Sequence, residues 1–317
     1  MNALADLMPN IPSTQGLRGR LRHDVSMAEY VSWRAGGRVE MMYEPADSED
    51  LVFFLKQLPP ETSVYWLGLG SNLLVRDGGL RGVVIRTHGA LRELRLEQMK
   101  DGQGSVYAGA GVALPKVARY CANHDLTGAE FMAGIPGTVG GALAMNAGCY
   151  GGETWRVTAQ VVTVDKTGRV RMRKQSEFHI GYREVEAKCR EQQEWFLGAY
   201  FSLPVGDGRI SRAKITELLR SRIASQPLGQ ANAGSVFRNP EGDHAARLIE
   251  ACGLKGKQLG GAQVSMKHAN FIVNIGQATA SEIEDLMAQV KETVAQQTGI
   301  HLVHEVRIIG ERTGVSV

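Results

Sequence analysis

"GIPGTVGGALAMNAGCYGG", residues 134–152, holds seven glycines, takes its polarity from Thr138 and Asn146, and carries no charged side chain. Glycine inside a helix or strand costs roughly 0.5–1 kcal/mol relative to alanine, so such a run is a poor regular element and something must offset the cost. One reading is that bare backbone at Gly137, Thr138, Gly140 and Gly141 lets amide N–H groups approach an anion without Cβ hindrance, with no acid nearby to repel it. The other is close packing of chain segments, which a glycine count does not exclude. The whole chain is glycine-rich, 38 of 317 residues or about 12%, against roughly 7% on average. These glycines cluster and do not repeat, which favours ligand-cradling loops over collagen-like or linker sequence.

The remaining totals narrow the class. With 43% apolar residues the chain fills real cores and has room for two or three domains. Lys plus Arg (36) against Asp plus Glu (33) gives a charge of +3 spread along the chain. No strong field is therefore expected for nucleic acid or an anionic membrane. Cys121, Cys149, Cys189 and Cys252 form no C-x-x-C, and the histidines form no H-E-x-x-H, so neither a disulfide framework nor a metal site is indicated. "MNALADLMPNIPSTQG" has an acid and two prolines where a secretory apolar run would stand. No apolar run approaches the roughly 18 residues of a membrane span. A cytoplasmic protein without a nucleic-acid, membrane or obligate protein partner is expected.

Along the chain, residues 1–22 read as a leader. "VEMMYEP" (39–45) is a strand, followed by a helix capped by Asp47 or Ser48 and stopped at Pro59-Pro60. Residues 63–70, 82–87 and 105–111 read as strands and 113–126 as a helix. Residues 157–173 form a hairpin turning at Lys166-Thr167-Gly168, and 195–204 a further strand. Beyond 206 the pattern becomes helical, and the alternation of "GIHLVHEVRIIG" (299–310) marks a late strand. The natural division is 23–205, in subdomains of about 23–88 and 89–205, and 206–317.

Four further motifs carry chemistry. "GLGSNL" (68–73) and "GAGVAL" (109–114) imitate a dinucleotide fingerprint, but each has Leu in the third glycine position and no acid about 20 residues on, which disfavours a Rossmann fold. Gly70, Ser71 and Asn72 nevertheless offer amide, hydroxyl and carboxamide groups that can grip a phosphate; a plain tight turn is the alternative. In "NAGSVFRNP" (232–240), Gly234 presents the Ser235 hydroxyl, and Arg238 and Asn239 are placed to hold phosphate or carboxylate. Without a nucleophile elbow or a paired His and Asp, Ser235 suits a proton donor better than a nucleophile, and a structural turn is its alternative. "GYRE" (181–184) sets Tyr182 and Arg183 at the end of a β-region. "HEVRII" (304–309) puts Glu305 on a strand opposite His304 and Val306. An ordinary surface Arg and a solvated carboxylate are the alternatives there.

Seven stretches, 31–37, 68–85, 128–153, 178–184, 225–240, 245–274 and 304–310, together resemble the UDP-N-acetylenolpyruvoylglucosamine reductases, the MurB flavoenzymes of peptidoglycan precursor synthesis. Their order and spacing cover nearly the whole chain from about residue 24. The resemblance implies an α+β fold: an FAD-binding half of the vanillyl-alcohol-oxidase (PCMH) type built from two subdomains, and a C-terminal α+β substrate-binding domain. Non-covalent FAD is implied, its diphosphate against Gly68, Gly70, Ser71, Asn72 and Leu73 and against Gly134, Ile135, Pro136, Gly137, Thr138, Gly140 and Gly141. Asn146, Ala147 and Gly148 would pass near the flavin. NADPH would reduce FAD, and flavin N5 would deliver hydride to the enolpyruvyl methylene of UDP-N-acetylglucosamine enolpyruvate.

By the same resemblance Arg183 and Glu305 would stabilise the developing enolate, and Ser235 would protonate it. Tyr182, Arg238 and Asn239 would contact substrate. Where the family often shows Arg-x-Ser, this chain reads Arg183-Glu184-Val185. The compact spacing from Arg183 to Ser235 and from Ser235 to Glu305 matches the shorter, type II form. Two other readings stand beside this one: a different flavin oxidase or dehydrogenase of the same superfamily, and a nucleotide-sugar sensor without activity.

Overall fold

The computed structural model describes residues 15–189 and 193–313; the first fourteen residues of the expected leader lie outside them. The chain divides into two compact units. One takes the residues up to His23, Met41–Gly68 and Gly82–Ile215; the other takes Asp24–Glu40, Leu69–Arg81 and the chain from Thr216 on.

In the first unit, helix α1 (Ser48–Gln57) starts where the Asp47 carboxylate accepts the Asp50 N–H at 2.9 Å, a side-chain N-cap. Its Leu51, Phe54 and Leu55, at helical spacing, bury against Met41, Tyr43, Val83 and Ile85. The sheet beneath orders Arg20–Ser26, Arg38–Glu44, Leu80–Arg86 and Val64–Leu67. Val64–Leu67 runs parallel to Leu80–Arg86, so its end delivers Gly68. A second, antiparallel sheet orders Val170–Lys174, Thr158–Asp165, Glu194–Pro204, Gln103–Gly109 and Leu94–Lys100. The hairpin turn expected at 166–168 forms because Asp165 Oδ1 accepts from Thr167 N, Thr167 Oγ1 and Arg169 N at 2.6–3.1 Å. Helices α2 (Leu114–Asn123) and α3 (Val139–Ala144) follow, and a small hairpin, Phe178–Gly181 with Glu184–Ala187, turns through Tyr182 and Arg183.

The second unit is built on an antiparallel sheet ordered Ala231–Asn232, Ile272–Asn274, Ala262–Val264 and Gln258–Leu259. Helices α5 (Ala245–Ala251) and α6 (Ala280–Thr298) and a parallel pair, Leu73–Val75 with Arg307–Ile309, complete it. Helix α4 (Gly208–Ser225) runs from one unit's residues into the other's. The core gathers Trp33, Leu74, Phe237, Leu248, Ile272, Leu286 and Val306. Alternation in 299–310 is real, with Leu302 and Val306 buried, but the ladder spans only Arg307–Ile309. Its partner strand has three residues, so Glu305 precedes the strand instead of lying on it. Among the described residues no helix is long and apolar enough to cross a membrane.

Helix α6 is fixed at two points by the "VRDGG" stretch. Asp77 accepts from Ala280 N, Ser281 N and Ser281 Oγ at 2.6–2.9 Å, satisfying the helix N-terminus. Arg76 grips Glu284 through two bonds of 2.9 Å, and Arg312 adds a third. The Arg76 hydrogen bond, foremost, pulls the Glu284 carboxyl down to about 2. A folded-state pKa below the unfolded one contributes stability that is complete above the unfolded value of about 4.3 and is lost as pH falls through the folded one. Glu284→Gln is therefore expected to lower the melting temperature at neutral pH, by a margin that closes between about pH 5 and pH 2. Melting curves across that range test it; a margin independent of pH would contradict it.

Candidate active site

Glycines of the opening segment divide by what surrounds them. A Cβ on Gly134 would come within 2.7 Å of Tyr150 and 2.8 Å of Cys149 Sγ; one on Gly140 would reach Ala110 at 3.0 Å; one on Gly152 would overlap Phe131. Crowding accounts for these three. The first N–H groups of α3 are also committed, Val139 to Val112 O and Gly140 to Ala110 O, both at 2.9 Å. Gly141 differs: it is exposed, and a Cβ there would meet Thr138 Oγ1 only at an ordinary 3.8 Å. A Cβ on Gly68 would overlap that same hydroxyl. Thr138 is 1% exposed and its Oγ1 has no hydrogen-bond partner. Ile135 is buried and Pro136 exposed, and Gly137 O accepts from Leu114 N at 3.0 Å.

Farther along the segment, backbone and side chain interlock. Ala147 O accepts from Thr154 N and Oγ1 at 3.0 and 2.7 Å. Buried Asn146 donates to Gly181 O at 3.0 Å, and Arg183 donates to Asn146 O and Gly148 O at 3.4 and 3.3 Å. The Arg183 guanidinium lies 5.1 Å from the ring centre of half-exposed Tyr182, a cation–π pair. Tyr182, Arg183 and the 146–148 segment are thus one local cluster in the first unit.

In the second unit Ser235 and Glu305 stand on adjoining backbone. Gly234, at φ +77°, turns the chain after Ala231–Asn232, and its N–H is accepted by Asn232 Oδ1 at 2.9 Å. Glu305 N donates to Val236 O at 2.8 Å, and Asn72 Nδ2 donates to Glu305 O at 3.1 Å. Three of the sequence candidates, Asn72, Ser235 and Glu305, are thereby brought together. Sequence reasoning missed Asn270, which exchanges two bonds with the Phe237 main chain (3.0 and 2.8 Å) while its carbonyl accepts Val236 N at 2.9 Å. It holds the segment directly after Ser235, and "KHANF" carries no local pattern that announces this.

The other polar candidates have defined places. Gly70, at φ +63°, faces the Tyr30 carbonyl so closely that a Cβ would overlap it, so packing explains that glycine; Leu73 begins the parallel strand. Arg238 N donates to Val303 O at 2.8 Å, and its buried Nε has no partner. Asn239 Oδ1 accepts Ala245 N at 3.1 Å at the start of α5, a fold role sufficient to explain it. Burial against Phe237, 5.4 Å between ring centres, together with the charge of Lys291, pushes the His304 pKa down.

Residues 226–309 match the model of the UDP-N-acetylenolpyruvoylglucosamine reductase C-terminal domain, and residues 39–172 match that of an FAD binding domain. The chain is 55% identical over 305 residues to the UDP-N-acetylenolpyruvoylglucosamine reductase of Thiobacillus denitrificans, covering 93% of this chain and 94% of that one. The chain belongs to the UDP-N-acetylenolpyruvoylglucosamine reductase family. The reductase of Nitrosospira multiformis is 56% identical over 313 residues, 93% of this chain and 90% of that one. The crystal structure of the reductase (MurB) from Thermus caldophilus superposes with a TM-score of 0.77 at 30% identity, over 92% of this chain and 99% of that one. The 6-hydroxy-D-nicotine oxidase of Arthrobacter nicotinovorans, at 12% identity and a TM-score of 0.56, covers 91% of this chain and 89% of its own. That likeness shows the shared oxidase-type fold.

Membership makes this reductase an FAD-dependent oxidoreductase, and the residues of the first unit fit the cofactor. A buried hydroxyl without a partner costs free energy unless a ligand supplies one. Thr138 Oγ1 is such a group, and the missing Cβ of Gly68 leaves the space beside it that any other residue would fill.

Proposed function

We propose that this protein reduces UDP-N-acetylglucosamine enolpyruvate to UDP-N-acetylmuramate in the cytoplasm, with NADPH as reductant, for peptidoglycan precursor synthesis. FAD, when bound, supplies the hydride carrier between NADPH and the enolpyruvyl group. Thr138, Gly68 and Gly141 would hold its diphosphate end. Hydride arriving at the methylene carbon leaves negative charge on the adjacent carbon and its carboxylate, and Arg183 and Glu305 are the groups given the stabilisation of that charge. Ser235 then donates its hydroxyl proton to the carbanion and recovers it from solvent. A serine hydroxyl is a weak acid in water, and its use is reasonable only toward a strongly basic carbon held close to it. Tyr182, Arg238 and Asn239 bind the substrate.

The observation that supports this reading most is the adjoining backbone of Ser235 and Glu305, where Glu305 N donates to Val236 O and Asn72 Nδ2 donates to Glu305 O. The purified protein is expected to be yellow, to bleach with NADPH in the absence of oxygen, and to regain colour on addition of UDP-N-acetylglucosamine enolpyruvate. Absorption spectra follow each stage. A protein without extractable flavin, or a bleached one that the enolpyruvyl compound leaves bleached, would overturn the reading.

A further inference from the structure

The carboxamide of Asn146 is spent on protein. Asn146 is 2% exposed and sits at φ +39°. Its Nδ2 donates to Gly181 O at 3.0 Å and to Glu153 Oε2 at 3.3 Å, and its Oδ1 accepts Trp155 N at 3.2 Å. Gly181 is the residue just before the Tyr182–Arg183 turn, since it pairs with Glu184. Arg183, at φ +58°, reaches back to Asn146 O and Gly148 O. The Arg183 side chain therefore holds the main chain of Asn146, and the Asn146 side chain holds the main chain two residues before Arg183. Left-handed backbone at non-glycine residues is strained and persists only where the surroundings hold it. Here two such residues brace one another.

We propose that Asn146 is a positioning residue, whose carboxamide fixes the turn that presents Arg183. The proposal rests on the role given to Arg183 above. The hairpin has four residues on each strand, and an isolated two-stranded hairpin is marginal in water, so the orientation of its tip must come from outside it. The Gly181 bond joins the Asn146 carboxamide to the residue at the base of that tip. Asparagine suits the place twice: it tolerates left-handed φ better than most residues, and its amide group donates two hydrogens. Aspartate of the same shape would set a carboxylate against the Gly181 carbonyl and the Glu153 carboxylate.

The test uses the holoenzyme with Asn146→Gly, which keeps the backbone freedom and removes the amide, and Asn146→Asp, which keeps the shape and removes the donors. Both are expected to slow flavin reoxidation by substrate by roughly 10- to 100-fold, the range a displaced catalytic group commands. Bleaching by NADPH should change little, and kcat should fall by a larger factor than KM rises. On protein stripped of flavin, hydrogen exchange across 178–187 should quicken. In an Arg183→Ala background the further loss from Asn146→Gly should nearly vanish, as it does for residues acting as a unit. Full additivity in that background, equal slowing of both half-reactions, or unchanged exchange overturns the proposal. Should Arg183→Ala alone leave reoxidation intact, the role of Arg183 fails and the positioning role with it, a result distinct from additivity.

Discussion

Ser235→Ala is expected to leave flavin reduction by NADPH nearly unchanged and to slow the second half-reaction by on the order of 10²-fold or more, the contribution of a lost general acid. The selectivity follows from what holds the segment. Gly234 sets the turn by its backbone, and Asn270 secures Val236 and Phe237 by their main-chain groups. Removing one hydroxyl disturbs none of these bonds, so the fold and the flavin should survive. Reduction by NADPH requires no proton from Ser235, whereas completion of the lactyl ether does. Anaerobic stopped-flow traces of the two half-reactions measure both. Equal slowing would make Ser235 a structural residue and send the search for the donor elsewhere.

Thr138→Val and Gly68→Ala should separate cofactor binding from folding. Valine keeps the shape of threonine and removes a buried hydroxyl that the protein leaves without a partner. Such a group costs about 1–3 kcal/mol when unsatisfied, so the flavin-free variant should be as stable as the parent or more so. The same change should weaken FAD binding by roughly 10- to 100-fold, the value of a hydrogen bond to a charged group. Gly68→Ala adds a methyl that would overlap that hydroxyl. At about 1–3 kcal/mol for overpacking, its loss of FAD affinity should run from roughly 5- to 150-fold. Fluorescence titration of the stripped protein with FAD, beside melting curves of both forms, decides between the cases. A Thr138→Val protein that melts early without flavin yet binds FAD normally would assign the hydroxyl to the fold.

What the sequence reveals depends on how local the cause is. The cap at Asp47 and the Asp165 turn were legible because donor and acceptor lie within a few residues. Arg76 and Asp77 were not, because their partners on α6 stand 208 and 203 residues away. For the same reason Asn270 gave no signal, its partner being 33 residues distant. Composition exposed the glycine-rich segment but had no means of separating crowding at Gly134 and Gly140 from open backbone at Gly141, since only the neighbours differ. Alternation around Glu305 was visible, whereas the length of its strand is set by Leu73–Val75, far off in the chain. Family resemblance spanned these gaps because seven separate motifs had to coincide.

The core around Trp33 bears on how the chain is made. The Trp33 indole donates to Ile272 O across 239 residues, and Leu74 shares that core with Leu302 and Val306. At about 5–20 residues per second, translation separates the two ends of that bond by roughly 10 to 50 s. Through that interval the early segments carrying Trp33 and Leu74 have no core to enter, while the first unit, which needs nothing beyond Ile215, can already be complete. The second unit can thus be completed only late, and the strand Arg307–Ile309 that closes it emerges from the ribosome only after its partner Leu73–Val75 has waited for most of the synthesis.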